Sequence, residues 1–461
     1  MNNDEANPSS TDPDLSIKLD LRKDRFSQKF ALVLTASALT IGTIAVLMVK
    51  SYTDWIWTVV VFGVAGGACL VCLSFMHQIK TKEKRGWIVA GFSLAVAIRI
   101  ILIAFPSHEL SDDIYRYHWD GKVLVHGINP YMYSPDAPHL TTLRDDEIDG
   151  KVNHPYNLTC YPPAAQLLFA LGYILSPNSL VGLNILFLLS EIVAWLILLK
   201  LLERKKKPGH LIMLVAFMPL GFIESYLPGH IDPLALPWLA AFLMFLDRKQ
   251  AIAAALALAV AVQFRPLFIL FAPVAALQFP VGKSLKAVAS FMIMSAMFYL
   301  PFLSAGQQLF SSTWLMIKYW KFNSSISWLI SLFLPDDAVR IVGAVSVSSI
   351  TLFSAWWLRK KPVVAMQAAI MAFVAFSPTV FAWYLIGALV LVCLEREAAL
   401  LSLLVLLPLS ELVMIPFTTH GLWQLPIWAR LMQYVPFYAI LAWEMSKRKG
   451  VFNTEARSTN A

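Results

Sequence analysis

Between residues 111 and 121 the chain reads SDDIYRYHWDG, and ten of these eleven residues are charged, hydroxylated, aromatic, His or Gly. The adjacent carboxylates Asp112 and Asp113 carry the most chemistry. Near a low-dielectric phase two such groups repel, which raises one of them towards the range where a carboxylate accepts protons near neutral pH. If residues 112–122 are helical, Asp113, Arg116, Tyr117 and Asp120 recur at i, i+3, i+4 and i+7 and share a face, while Asp112 points about 100° away. Asp113 and Asp120 then lie ~10 Å apart along the axis, too far to act on one atom. The pattern assigns the working base to Asp113 or Asp112 and gives Arg116 and Asp120 the task of organising the loop. An isolated Asp pair more often solvates a loop or caps a helix, so the neighbours decide the reading. Tyr115, Tyr117, His118, Trp119, Tyr131 and Tyr133 supply ring faces with polar rims, surfaces on which sugars stack. An interfacial aromatic belt explains some of them, but not HGINPY (126–131), where Gly127 and Pro130 punctuate an irregular turn.

Cations in apolar surroundings are the second component. Arg99 lies about seven residues inside the end of an apolar run, and Arg265 sits in QFRP between two runs of only about 14 residues. Placing Arg at bilayer depth costs roughly 2.5–3.5 kcal/mol or more, so such a residue faces a cavity, an anion or a partner. Arg265 reads either as a contact to an anionic ligand or as half of an ion pair with Glu224 or Asp232. His230 and Asp232 in GHIDP border the same side. Lys318 and Lys321, among Trp314, Tyr319 and Trp320, read equally as approaching a phosphate headgroup or as anchors at a membrane interface.

The elements that must position these groups are membrane helices. The 461-residue chain is 58% hydrophobic and only 14% charged, and apolar runs of about 15–23 residues recur along it, enough to cross ~30 Å of hydrocarbon. The reading is all-α: a polytopic transmembrane bundle of about 12–14 spanning helices plus juxtamembrane helices. Counting Arg396 and Arg457, 25 of the 37 Lys and Arg residues fall in short basic clusters between or flanking the runs, which marks those segments as cytoplasmic. The net charge of +8 therefore carries topology, not nucleic-acid affinity. Residues 1–29 form a cytoplasmic tail, disordered in its first part, and the run beginning near Phe30 reads as a retained anchor. The transmembrane domain covers 30–446 and the second cytoplasmic tail 447–461. Crossings are expected near 30–49, 57–79, 87–105, 180–202, 211–227, 233–246, 251–264, 266–280, 287–303, 341–358, 363–377, 380–394, 398–416 and 431–446. The loop 106–160 holds nine Asp and Glu against four Lys and Arg, as a non-cytoplasmic loop should. Parity then permits one crossing between it and the basic cluster at 204–207. YPPAAQLLFALGYIL is thus an interfacial helix that does not cross, and SISWLISLFL is likewise a non-spanning piece. Cys69, Cys72 and Cys393 fall within apolar runs and read as packing, so no disulfide framework is expected. The sequence has no metal-ligand spacing, and no obligatory metal or cofactor is expected.

A carboxylate base above a cationic pocket at membrane level suits transfer from a lipid-linked sugar phosphate. The base takes a proton from an acceptor hydroxyl, that oxygen attacks the anomeric carbon from the far side, and lipid phosphate leaves. Phosphate departs as a stable anion, so positive charge suffices to hold it, and attack opposite it inverts the centre.

SDDIYRYHWDGKVLVHGINPY (111–131), YPPAAQLLF (161–169), GHIDPLAL (229–236), QFRPLFIL (263–270) and SPTVFAWYL (377–385) together resemble the GT-C superfamily of integral-membrane glycosyltransferases, with the nearest likeness to its polyprenol-phosphate mannosyltransferase-like branch. The matching stretches are scattered over residues 99–385. The resemblance implies a hexosyltransferase, mannose-like in its sugar, that uses a polyprenyl-phosphate donor and a glycolipid or glycan acceptor among membrane lipids. It implies action on the non-cytoplasmic face of a bacterial inner membrane, with Asp113 or Asp112 as the catalytic acid–base. Arg265, Arg99, His230 and Lys321 are then expected at the donor phosphate, and Arg116, Tyr117, Trp119, Asp120, Tyr131, Asp232, Trp383 and Tyr384 around sugar or acceptor. One departure is VFAWY, where relatives often carry His-Pro before the Trp-Tyr pair. Two rival readings fit less well. A transporter or flippase calls for ionisable residues through the midplane and repeat symmetry, whereas here they gather at one face. A lipid-linked glycan ligase or polymerase calls for larger acceptor loops.

Overall fold

The structure, a computed structural model, describes residues 81–106, 111–145 and 147–458. The expected tail 1–29, the crossings at 30–49 and 57–79, and Cys69 and Cys72 lie outside them. The described residues are helical throughout, with a single isolated bridge between Phe322 and Thr379. We number the α-helices in chain order: α1 Thr81–Ala104, α2 Asp113–Val125, α3 Pro163–Leu175, α4 Val181–Arg204, α5 Met213–Phe217, α6 Pro219–Tyr226, α7 Leu236–Asp247, α8 Ala251–Val262, α9 Ala272–Ala276, α10 Val281–Tyr299, α11 Ser311–Tyr319, α12 Ile326–Ile330, α13 Asp336–Trp357, α14 Pro362–Phe376, α15 Ala388–Leu394, α16 Ala398–Leu406, α17 Met414–His420 and α18 Ile427–Ser458.

Among the described residues four segments are long and apolar enough to cross a membrane: Val181–Arg204, Val281–Tyr319, Asp336–Trp357 and Ala398–His420. A fifth arises if Gly209–Phe217 and Pro219–Tyr226 count as one span broken by 43°. This suits an integral membrane protein; of the fourteen crossings expected, twelve fall in the described residues, and fewer than twelve are full-length spans there. Most of the other expected crossings coincide with shorter helices, such as Ala251–Val262 and Pro362–Phe376. Proline accounts for several of these breaks, though α8 is bounded by Gln250 and Gln263 and Pro436 lies inside α18. It lacks an N–H and clashes with the preceding turn, so it opens a helix more readily than it continues one. Pro219 bends the α5–α6 pair, and Pro233, Pro266 and Pro408 sit at the start of 3₁₀ turns. α3 is 13 residues long, about 20 Å, and so falls short of ~30 Å of hydrocarbon, in keeping with a non-spanning helix. α12, of five residues, is the short piece expected at SISWLISLFL. Leu285, Met292 and Ile293 of α10 and Ile341, Val345 and Phe353 of α13 are exposed. Such continuous apolar faces suit lipid, not water.

Close packing at the end that carries α2 rests on small residues. A Cβ on Gly121 would come within 2.2 Å of the Phe169 carbonyl oxygen, and one on Gly182 within 2.2 Å of the Gly172 oxygen, so α2–α3 and α3–α4 touch backbone to backbone. The loop beyond α2 is fastened by the Ser312 and Thr313 hydroxyls of α11, which donate to the Leu158 and Cys160 carbonyls.

Arg99 locks the other side of this assembly. It is fully buried, its Nε and Nη2 donate to Glu191 at 2.5 and 2.8 Å, and Nη1 donates to the Ala95 and Ala216 carbonyls. Tyr226 donates to the same Glu191 carboxylate at 2.7 Å, and the Trp195 ring lies 4.7 Å from the guanidinium. The expectation that Arg99 meets a donor phosphate is therefore corrected. All its nitrogens are engaged by α1, α4, α5 and α6, and it closes a structural ion pair. Removing one partner of such a pair costs about 3–5 kcal/mol, while replacing both with apolar residues of similar volume is often tolerated. Glu191→Ala should lower the thermal unfolding midpoint of detergent-solubilised protein strongly, and Arg99→Met combined with Glu191→Met should recover most of the loss. No recovery in the double variant would assign the stability to something other than pairing.

Candidate active site

α2 begins where the chain turns out of Ser111 and Asp112: the Asp113 amide donates to Ser111 Oγ at 3.2 Å. A carboxylate in the first turn faces the positive end of the helix dipole. Asp112 is exposed, and the Asp113 side chain is 23% exposed. Asn153 Nδ2 donates to both, at 3.0 Å to Asp112 and 2.6 Å to Asp113, so one amide clamps the two carboxylates.

Beneath Asp113 lies His230, brought there by Gly229. Gly229 has φ +76°, and a Cβ on it would strike Ile114 at 2.7 Å; only glycine fits this left-handed turn against α2. The His230 amide donates to the Glu224 carbonyl at 3.0 Å, closing the turn. Its Nδ1 faces Asp113 at 3.4 Å, its Nε2 faces the Glu224 carboxylate at 3.6 Å, and its ring stacks on Trp383 with centroids 3.7 Å apart. The result is a line of groups from solvent inward: Asn153, Asp113, His230, Glu224. Both outer contacts of the imidazole are loose, and Nδ1 has no hydrogen-bond partner within good geometry, an arrangement that tightens readily when a reacting group arrives.

Arg265 and Asp232 form the floor. Arg265 Nε and Nη2 donate to the two Asp232 oxygens at 2.6 and 2.5 Å, and the guanidinium lies 4.4 Å over the Tyr384 ring. Of the two alternatives for Arg265, the ion pair with Asp232 is present. That pairing occupies Nε and Nη2 and leaves Nη1. Tyr117 lies within electrostatic reach of Asp113, Asp232 and Arg265, and stacks on Phe169 with centroids 4.7 Å apart. The rim is aromatic: His154 meets Trp320, which meets Phe381, and Phe381 stacks on Trp383.

The structure thus brings together Asp112, Asp113, Tyr117, His230, Asp232, Arg265, Trp383 and Tyr384. It places Arg116, Asp120 and Tyr131 one layer behind. Arg116 pairs with Asp120 at 2.9 Å and donates to the Asn157 carbonyl, Asp120 accepts from Gln166, and Tyr131 donates to the Tyr161 carbonyl at 2.5 Å. All three are buried and hold the loop in shape, the organising role the i, i+4 spacing suggested for Arg116 and Asp120. Trp119 is buried in a small loop core with Val123, Leu140 and Val152, so neither of its faces is open to a sugar. Lys321 pairs with Asp336 and lines a cavity whose walls do not include Asp113.

Asn153 was not legible in the sequence, because a lone Asn in a polar loop carries no spacing signal. Glu411 and Glu191 were also passed over, although a carboxylate inside an apolar run demands a partner and could have marked them; Glu411 lies in electrostatic contact with Glu224. Among the described residues no group of three or more His, Cys, Asp or Glu side chains is placed to hold a metal ion. The chain matches no protein-family model and no curated protein.

The two carboxyls titrate apart. Although its side chain reaches solvent, partial loss of hydration among its neighbours raises the Asp112 pKa from its ordinary value, and the charge of Asp113 adds to the rise against the Asn153 hydrogen bond. Burial also opposes ionisation of Asp113, but the attraction of His230 and the Asn153 N–H outweigh it and hold the carboxyl below that range. As pH falls, Asp112 therefore takes a proton first. Because the Asp113 pKa is depressed, the stability its partners supply is complete above the unfolded-state value and is lost as pH drops through the folded one. Infrared difference titration of the carboxyl bands should show the higher-pH component missing in Asp112→Asn and retained in Asp113→Asn. The reverse assignment would show that His230 does not hold Asp113 ionised.

Proposed function

We propose that this chain is a membrane glycosyltransferase of GT-C type that transfers a hexose from a polyprenyl-phosphate sugar to a glycolipid or glycan acceptor on the non-cytoplasmic face. The observation that carries the reading is the ionised, partly exposed Asp113 held between Asn153 and His230, close to the Arg265–Asp232 pair. A donor lipid needs an apolar berth beside that group, and an open groove of about 470 Å³ runs between α3, α7, α8 and α10. Ala164 and Phe264 line it, each adjoining a site segment, Pro163 after Tyr161 in one case and Arg265 in the other. Its lining is almost wholly apolar, with Leu167, Trp238, Leu256 and Phe298 on its walls, as an isoprenoid chain requires.

In this mechanism Asp113 accepts the proton of the acceptor hydroxyl while the oxygen bonds to the anomeric carbon. The C–O bond to phosphate breaks on the opposite side, and the product is inverted. His230 stabilises Asp113 as the anion before transfer and meets it as the neutral acid afterwards. Glu224 behind the imidazole fixes its orientation. Arg265, through Nη1, is the cation nearest the departing phosphate, and Asp232 sets the plane of the guanidinium. Trp383, stacked on His230, and Tyr384, under Arg265, shape the sugar pocket.

Purified protein supplied with labelled polyprenyl-phosphate hexoses and membrane glycolipids should transfer label with inversion. Asp113→Asn should reduce kcat by about 10²–10⁴, and Asp112→Asn should reduce it far less. Arg265→Ala should raise KM for the donor more than for the acceptor. Undiminished transfer in Asp113→Asn would remove the assigned base, and equal loss for both substrates in Arg265→Ala would leave Arg265 a purely structural role.

A further inference from the structure

A second polar cavity, of about 120 Å³, opens between α12, α13 and the start of α18, apart from Asp113. Its lining is unusual for a helical bundle because several of its polar atoms have no partner. Asn323 is 1% exposed and its Oδ1 accepts nothing, while its Nδ2 donates to Gln433 at 3.0 Å. Ser327 is 2% exposed and its hydroxyl has no partner. Arg340 donates through Nη1 and Nη2 to the Ile317 and Trp320 carbonyls but leaves Nε buried and unpaired. Arg430 lies 5.1 Å over the Trp328 ring, and its buried Nε is unpaired too. Arg430 makes no ion pair among the described residues. Unsatisfied buried donors and acceptors each cost about 1–3 kcal/mol, and the four residues that carry them all line this one cavity, which calls for an occupant.

The unmet needs define its chemistry. Two guanidinium N–H groups and a hydroxyl require acceptors, while the Asn323 carbonyl requires a donor. Lys321, Arg340 and Arg430 outnumber the one lining carboxylate, Asp336, by two charges. An anion of acceptor oxygens with a hydroxyl close by satisfies all four atoms, and a bare halide or a carboxylate without a hydroxyl does not.

We propose that this cavity binds a phosphate ester that carries a free hydroxyl, of the glycerophosphate kind. Arg340 and Arg430 grip the phosphate oxygens, the Ser327 hydroxyl donates to a third, and Asn323 Oδ1 accepts from the ligand's hydroxyl. The inference stands apart from the glycosyltransferase reading, since it uses none of that site's groups. The cavity is nevertheless linked to that site through the backbone. The Phe322 amide donates to the Pro378 carbonyl at 3.0 Å, the Val380 amide donates to the Phe322 carbonyl at 2.8 Å, and Phe322 stacks on Phe381. Phe381 in turn stacks on Trp383, the ring under His230, so an occupant would brace the aromatic rim of the first site.

The test uses the full-length protein in nanodiscs. One arm adds sn-glycerol 3-phosphate to phosphatidylcholine discs and reads binding calorimetrically. The other measures co-purification of phosphatidylglycerol from mixed discs by mass spectrometry. Saturable binding in either arm is expected. A free ester as the source gives a signal in the first arm, and a lipid headgroup gives one only in the second. Arg430→Gln should weaken the signal about tenfold or more and Ser327→Ala by a smaller factor. Lys283→Gln, outside the cavity, should change nothing. Ser327→Ala removes only a hydroxyl and keeps the test decisive if Arg430→Gln folds poorly. No saturable binding in either arm, or binding equal in wild type, Arg430→Gln and Ser327→Ala, would overturn the proposal.

Discussion

Charge placed inside an apolar bundle has to be answered by charge or by hydrogen bonds, since no water competes for the role and an orphan there costs several kcal/mol. The packing of this chain follows from how each such debt is met. Arg99 is answered by Glu191 and Tyr226, Arg265 by Asp232, and Arg116 by Asp120 and the Asn157 carbonyl. The Arg99–Glu191, Arg265–Asp232 and Arg116–Asn157 contacts draw together segments far apart in sequence, while Arg116–Asp120 is an i,i+4 pair within α2 that holds the guanidinium in place. Asp113 is the partial exception. Its partners, Asn153 and His230, hold it ionised without enclosing it, so its charge is stabilised and still open to a visitor.

Glycine and proline turn that electrostatic demand into geometry. Gly229 lets the chain pass directly beneath α2, and the next residue, His230, lands under Asp113. Pro219, Pro233 and Pro266 break the surrounding helices, so irregular backbone ends near the group in place of passing it by. Broken helices are tolerated in a membrane protein where their freed polar groups line a cavity or are buried in protein. Here those breaks set Glu224, Asp232 and Arg265 around one imidazole and one carboxylate.

Helix positions were largely legible, because apolar runs bounded by basic clusters report them directly. α4, α13 and α18 fall where 180–202, 341–358 and 431–446 were expected, and α3 falls within the 161–175 segment that the parity of charge set aside. Span lengths were less legible, since hydropathy is blind to a proline that turns one long run into two short helices. Within the site, Asp112, Asp113, His230, Asp232 and Arg265 were visible as polar residues at apolar borders. Direction was not visible. Arg99 and Arg265 look alike as lone arginines near apolar ends, yet Arg99 is sealed by Glu191, 92 residues away, a contact that no local spacing encodes. Trp119 was misjudged for the same reason: aromatic character is local, whereas burial under Leu140 and Val152 is not.

The reading depends on the Asp113 end of the bundle facing away from the cytosol, and sidedness is the direct measurement. Tyr156, 66% exposed in the loop beside Asn153, can be replaced by cysteine in a background lacking the native thiols. It can then be challenged with a membrane-impermeant maleimide on intact cells stripped of their outer barriers. Labelling before permeabilisation is the expected result. Labelling only after permeabilisation would put Asp113 on the cytosolic side and contradict the account.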